Sequence, residues 1–379
     1  MKVLHFYRTY FPDSQGGLEE AIRQICLNTI PFGVESRVLT VSASPSVSPI
    51  ELAEARVYQV KKHGEFASCS VGLGAIEKYR ELAAWADVIH LHYPWPFADV
   101  VRLLCPSNKP SVLTYHSDII RQSVLKRVYA PLEKRYLASI DAVVSTSPNY
   151  LAGSPTLQSV AEKVTTIPLG INHNSYPQVG DDHIDKCRLE YGSAFFLFVG
   201  VLRYYKGLHI LLDAMVGSSQ SLLIAGTGPM QLKLKRQAKR LGLSNVRFLG
   251  YVSDTDKMAL LQLCRAVVLP SHLRSEAFGV TLLEAAMMGK PMISAEIGTG
   301  TSYVNIHGET GLVVKAGCCD ALSEAMEELG ADIQAAERMG VAAHRRYQKL
   351  FSGEILGENY RTLYAGLQSN NEVLSNRGR

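Results

Sequence analysis

Residues Pro270–Lys290 read PSHLRSEAFGVTLLEAAMMGK and follow an apolar run of strand type, AVVLP. Two carboxylates, Glu276 and Glu284, stand eight positions apart, with Phe278 and Gly279 between them. On one continuous helix an eight-residue step turns about 800°, which leaves the two side chains about 80° apart and two turns apart along the axis, so they do not meet. A helix that begins near Gly279 instead leaves Glu276 in the loop ahead of it and Glu284 inside it. The backbone N–H groups of Gly279 and Val280 are then unpaired at a positive helix end, where glycine lets a phosphate approach closely. That is an anion site flanked by two hydroxyl acceptors. A sugar nucleotide needs all three, N–H donors for its diphosphate and carboxylates for its ribose and hexose hydroxyls. The alternative is a helix N-terminus whose glutamates are solvated.

Outward from this stretch, short apolar runs alternate with helical patterns along the whole chain. VLHFY, SRVLTV, DVIHLH, SVLTYH and AVVST lie in the first half, and FFLFVGV, SLLIAG, VRFLG, AVVLP and PMISA in the second. Such alternation predicts α/β architecture with parallel, doubly wound sheets and ligands at the carboxyl ends of the strands. PLGINHNSYPQVG, around Pro168 and Pro177, interrupts it with prolines, glycines and asparagines and marks a domain boundary. The expected division is 1–172 and 173–351, a last helix over 352–368, and a polar, disordered tail over 369–379. No 20- to 50-residue period repeats within either half, which excludes a solenoid.

The candidate residues sit at strand ends. A long loop after VLHFY closes on Gly16 and Gly17 just before a helix, where glycine permits close approach of a phosphate or sugar. His90 and His92 alternate on one face of DVIHLH; without further ligands of metal spacing they are read as partly buried strand-end histidines. His116 and Asp118 leave SVLTYH on the same side. Arg203 and Lys206, in VLRYYKG, place two cations at a strand-to-helix turn, able to balance a diphosphate and the charge that grows on a leaving group. Gly226 opens GTGP after SLLIA. Val252, Asp254 and Lys257 lie in a further strand-to-helix loop, where Asp254 and Asp256 form a DxD triplet. Ser253 and Asp254 fall where a helix N-cap is expected, which argues against a metal-binding reading of the triplet.

EAFGVTLLE, with the preceding PS and the following AAMMGKPMI, resembles the E-x7-E element of the retaining glycosyltransferases of group 1 (family 4). That family has the GT-B fold, two Rossmann-like domains facing a cleft. The resemblance extends from Val3 to about Leu367 and includes HSD, VLRYYKG, GTGP, FLGYVSDTDK and GTGTSYVN. It implies that Glu276 contacts the transferred sugar and Glu284 the ribose, that His116 sits beside the sugar on the acceptor side, and that the Val252 loop holds the base. It also implies retention of configuration by front-face attack, in which the leaving phosphate takes the acceptor's proton. The chain departs from the pattern at Val201, where the family has an arginine after the glycine; here the arginine comes two places later, at Arg203, while Lys206 keeps its position.

Composition narrows the class. The chain's 379 residues suit two domains, and 47% hydrophobic with 20% charged residues is the balance of a soluble globular enzyme. The longest apolar run, Ala194 to Leu202, is far short of the roughly 20 residues a membrane span requires, and no signal-peptide pattern precedes the first strand. A cytoplasmic location is therefore expected. The seven cysteines show no paired zinc or redox spacing. A net charge of +4 is too small to argue for nucleic acid. Arg121, Lys126, Arg127, Lys134 and Arg135 interleave with apolar and tyrosine positions at helical spacing. They make either a solvated helix face or a face for peripheral contact with an anionic membrane surface on the inner side of the plasma membrane.

The expected activity is transfer of a hexose, mannose or a 6-deoxyhexose such as rhamnose, from a GDP-sugar to a lipid-linked saccharide in bacterial polysaccharide (O-antigen) assembly. GDP-mannose and GDP-rhamnose are the expected donors, and no metal or other cofactor is expected. The alternatives are a UDP-sugar-dependent transferase of the same family and a sugar-nucleotide 2-epimerase on the same fold. A Rossmann dehydrogenase is disfavoured because no complete GxGxxG is present.

Overall fold

The computed structural model describes residues 1–66, 69–119 and 123–377. The chain divides into two compact units, one of Met1–Gly170 with the segment from Gly353 onward, the other of Ile171–Ser352.

In the first unit a sheet of eight strands, counted among the described residues, runs in the order Val164–Thr166, Ala142–Ser145, Ser111–Tyr115, Val88–Tyr93, Lys2–Phe6, Glu35–Ser42, Arg56–Lys61, Ile50–Glu51. Every pairing is parallel except the last. The central strands are buried on both faces, every residue of VIHLHY and SVLTY included. The helix Gly17–Thr29 and the C-terminal helix Gly353–Arg377 cover one face, where Val3, Ile25, Val88, Val112 and Val144 pack with Tyr360 and Tyr364. Leu356, Tyr360 and Tyr364, at successive helical turns, are that helix's buried contribution to the core. The helix continues to Arg377 through residues that read from composition as a disordered tail, and the Asn371 side chain donates to the Asn108 carbonyl at 3.1 Å.

The second unit has six parallel strands among the described residues, in the order Val246–Gly250, Leu222–Ala225, Phe196–Val199, Ala266–Leu269, Met292–Glu296, Gly311–Lys315. Numbered within the unit this is the doubly wound order 3-2-1-4-5-6. The chain therefore departs in opposite directions from the adjacent ends of Phe196–Val199 and Ala266–Leu269, and the loops that follow them open a crevice. The first unit has its equivalent reversal between Lys2–Phe6 and Val88–Tyr93.

Among the sheet strands, Ile50–Glu51, Arg56–Lys61, Val164–Thr166 and Gly311–Lys315 escaped the sequence reading. All four lie at or next to a sheet edge, where an apolar run is not required. The basic segment forms the helix Ser123–Ala138, which buries Glu133, Tyr136 and Leu137 and leaves Lys134, Arg135 and Val128 exposed. Arg121 lies outside the described residues, as do the side chains of Lys126 and Arg127. No helix among the described residues is long and apolar enough to cross a membrane.

Candidate active site

At the switch point of the second sheet, the chain leaves Phe196–Val199 through Gly200 and reaches Lys206 at the end of a 3-10 turn, Tyr204–Lys206. From the neighbouring strand Ala266–Leu269 it passes through Ser271 and Glu276 to the helix Val280–Met287. The Lys206 ammonium and the Glu276 carboxylate form an ion pair across this gap, and Ser271 donates its hydroxyl to the same Glu276 oxygen at 3.1 Å. Both charged side chains are nearly buried. Burial lowers the Lys206 pKa, but the Glu276 charge, Tyr205 and the hydrogen bond to Glu276 together outweigh it and hold the amine above its ordinary value, with the nearby Arg203 pulling the other way.

The helix starts where the sequence suggested. Gly279 is its N-cap, with φ +86°, and a Cβ there would fall 2.8 Å from Leu269 Cδ2. A side chain would have to adopt the left-handed region and displace a core leucine. Glu276 is thus in the loop and Glu284 in the helix. Glu284 is buried, accepting from Lys257 Nζ at 2.8 Å and from the Tyr176 hydroxyl at 3.2 Å. Lys257 also pairs with Asp254 at 3.0 Å. Its pKa is raised because the Glu284 and Asp254 carboxylates more than offset the lowering effect of burial. Phe278 is buried and meets the Phe351 ring edge-on at 6.2 Å.

Val252 precedes a capping box in which Ser253 and Asp256 satisfy each other's side chains and backbone at the start of the helix Asp254–Leu263. Asp256 also binds His183 at 2.9 Å, and Asp254 is largely exposed. The two triplet carboxylates thus point to different tasks. Gly226 has φ +131°, and a Cβ on it would lie 2.0 Å from the Gly200 carbonyl oxygen, so the GTGP turn is held against the loop that carries Arg203. The strand before that loop ends at Val199. Arg203 N donates to Val201 O at 2.8 Å, a tight turn in which Val201 and Arg203 are exposed and Leu202 is buried. An extended strand through Leu202, which would set positions 201 and 203 on one face, is not formed.

In the first unit Gly16 caps the helix Gly17–Thr29 in extended backbone. Glu19 lies in the first turn of this helix and accepts from Thr9 and Ser14, each at 2.7 Å, so a carboxylate already sits at this N-terminus. His116 and Asp118 diverge. Asp118 accepts from Tyr115, Tyr150 and Ser154 and orders its own loop. His116 Nε2 instead lies 3.1 Å from His92 Nδ1.

His92 Nε2 in turn lies 3.1 Å from His5 Nδ1. His90 bonds Tyr364 and Thr114, both at 2.7 Å. All four histidines are buried in the sheet, more deeply than strand-end histidines were expected to be. Desolvation pushes His5 and His116 down to about 3 and His90 and His92 well below the ordinary histidine value, so the rings are neutral. His5, His90 and His92 are close enough to suggest a metal site. His92 stacks on His90 (4.3 Å between centroids, 27° between planes), whereas His92 and His5 meet edge to edge with their facing nitrogens 3.1 Å apart, too close for an ion between them. In stacked rings the in-plane lone pairs run side by side and do not converge on one ion, and both His90 nitrogens are already engaged.

Sequence reasoning missed Ser271, Tyr176, Glu19 and His5. Ser271 and Tyr176 belong to loops with no local signal, and His5 joins the chain only because the strand order sets it opposite His90.

Residues 181–346 match the family described as "Glycosyl transferases group 1", and residues 16–170 match the "Glycosyl transferase 4-like domain". The chain is 51% identical to a D-rhamnosyltransferase of Pseudomonas aeruginosa over 352 residues, 93% of this chain and 92% of that one. It is 42% identical to O-antigen chain mannosyltransferase C of Escherichia coli, over 97% of this chain and 99% of that one. Among solved structures, a sucrose-phosphate synthase from Thermosynechococcus elongatus superposes with a TM-score of 0.80 at 22% identity, covering 97% of this chain and 99% of that one, a likeness of fold. The chain belongs to the group 1 glycosyltransferases and is a glycosyltransferase of the two-domain GT-B fold.

Proposed function

We propose that the protein transfers mannose or a 6-deoxyhexose such as rhamnose from a GDP-sugar to a lipid-linked saccharide, with retention of configuration, in O-antigen assembly. The names of the two relatives, a rhamnosyltransferase and an O-antigen mannosyltransferase, support the sugar class and the pathway. The observation that carries the donor assignment is the Lys206–Glu276 pair at the switch point of the second sheet, beside a helix that starts on a glycine.

In this reading the diphosphate takes the N–H groups of Gly279 and Val280, and Lys206 and Arg203 hold the charge that grows on it. Glu276 accepts from the hexose hydroxyls and Glu284 from the ribose, for which Glu284 must share or exchange its bond to Tyr176. Val252, Asp254 and the GTGP turn at Gly226 border the base and phosphates. The bond from the anomeric carbon to the phosphate oxygen breaks, the acceptor oxygen attacks on the same face, and its proton passes to the leaving diphosphate, which departs as GDP. Gly16, Gly17 and His116 of the first unit serve the sugar and acceptor, and the exposed Lys134 and Arg135 of Ser123–Ala138 contact an anionic membrane surface.

The test is a screen of GDP-mannose, GDP-rhamnose and matching UDP-sugars that measures nucleotide released with lipid-linked acceptors. Faster release from UDP-sugars overturns the choice of base. Conversion of the donor sugar without acceptor identifies a 2-epimerase.

A further inference from the structure

We propose that His5 and His92 are positioning residues that set the tautomer of His116, so that its outward nitrogen presents one defined hydrogen-bonding character to a bound saccharide. The part of this concerning transfer rests on the function proposed above; the coupling of the rings does not.

The argument starts from the two contacts. His5 Nδ1 faces His92 Nε2, and His92 Nδ1 faces His116 Nε2, each at 3.1 Å. A neutral imidazole has one N–H and one lone pair, and these three rings are neutral because burial disfavours their charged forms. If His92 carries its proton on Nδ1, it donates to His116 Nε2, which must then be bare, and it accepts from His5 Nδ1. All three rings are then Nδ1–H. If His92 carries its proton on Nε2, both contacts reverse and all three rings are Nε2–H. Any mixed assignment sets two N–H groups or two lone pairs against each other inside the sheet, where neither has water to turn to.

The chain also has a closed end. His5 Nε2 is buried with no partner, whereas His116 lies at the carboxyl end of its strand and its Nδ1 makes no hydrogen bond among the described residues. A proton can enter or leave only at His116, so the row is not a conduit through the protein. Reversing all three rings would need a proton delivered to His5 Nε2, which no described residue supplies at the closed end, so the row holds one tautomer and His116 Nδ1 keeps one hydrogen-bonding character. The neighbouring His90 fixes the row's position from the side. It stacks on His92, and its nitrogens are held by Tyr364 and by Thr114, whose hydroxyl is 2.9 Å from that of Tyr360. Both tyrosines come from the C-terminal helix, so that helix buttresses the row.

The experiment uses the full-length protein labelled with ¹⁵N in its histidine rings, with His5→Phe, His92→Leu, His92→Asn and His116→Gln to assign the signals. Long-range ¹H–¹⁵N correlations report which nitrogen of each ring is protonated. The expected result is one tautomer shared by His5, His92 and His116, and a shift of the His116 ring nitrogens in both His92→Leu and His5→Phe, although His5 is two hydrogen bonds away. Opposed tautomers in the unsubstituted protein, or His116 signals unmoved in both variants, overturn the coupling. If His92→Leu does not fold, the unsubstituted protein and His5→Phe still decide it. For the role in transfer, His92→Leu is expected to lower kcat about 10-fold with the donor KM within about 2-fold, and His92→Asn, which can still donate to His116, to restore most of it. Equal loss in both His92 variants, or no loss in either, overturns the positioning role. Absence of transfer by the unsubstituted protein overturns the function proposed above and leaves the tautomer result to stand by itself.

Discussion

Lys206 and Glu276, seventy positions apart, form a nearly buried ion pair between the two adjacent strand ends at which the second sheet reverses its order. Neither charge is placed by its own element. A 3-10 turn delivers the lysine, and the loop ahead of a glycine-capped helix delivers the glutamate.

Removing one member of this pair strands the other. Lys206→Ala is expected to lower turnover on the order of 100-fold, as for loss of a group that stabilises leaving-group charge. It should also lower the melting temperature, because among the described residues Glu276's carboxylate then keeps only Ser271 as a partner. Steady-state kinetics at saturating donor, with a thermal melt on the same sample, check both. An unchanged kcat would remove Lys206 from the reaction.

Arg203 is exposed and sits beyond the end of its strand, so in the proposed reading its field would reach the diphosphate through solvent. Arg203→Ala is therefore expected to lower turnover on the order of 10-fold, less than Lys206→Ala. In the proposed reading both cations serve one leaving group, so the double variant should lose less than the product of the two effects. A multiplicative loss would show that they act independently.

In the proposed reading Glu276 touches the transferred sugar, where charge and geometry change most, so Glu276→Ala should reduce kcat more than donor affinity. Glu284→Ala should chiefly weaken nucleotide binding, measured by calorimetry with GDP. The reverse pattern would show that the assignment of sugar and ribose to the two carboxylates is inverted.

Gly279→Ala forces a side chain into φ +86° and against Leu269 and Leu282. The expected cost is about 1–3 kcal/mol of stability, read from denaturant unfolding, with a loss of turnover because the start of the helix moves between Glu276 and Glu284. A variant as stable and active as the parent would show that the loop relaxes freely.

The four buried histidines make the first unit sensitive to acid. Their folded-state pKa values lie below the ordinary value near 6.5, His5 and His116 at about 3, so between these limits the unfolded chain binds more protons than the folded one. Stability present above about pH 6.5 is therefore lost as pH falls, with a slope of up to about 1.4 kcal/mol per pH unit for each histidine. Melts between pH 7.5 and 4.5 should show this decline, shallower in His5→Phe. Equal slopes would mean that His5 does not contribute.

The amino-acid sequence by itself determined the class of fold and the start of the helix at Gly279. Both are local properties: strand-type runs alternating with helical spacing require parallel sheets, and only glycine suits the tight entry that puts Glu276 and Glu284 on different elements. The capping role of Ser253 was legible for the same reason, since a cap acts within three residues. Tertiary structure decided the partners. Glu284 meets Lys257 and Tyr176, and His5, His92 and His116 form one row, because strands distant in sequence lie side by side in the order the sheets adopt. It also decided the fate of Arg203, since the strand before it ends at Val199, where Gly200 turns toward the GTGP loop. Local pattern records which face a residue takes, whereas a buried charge or imidazole is satisfied only by whatever the neighbouring strand presents, and strand order is a property of the whole chain.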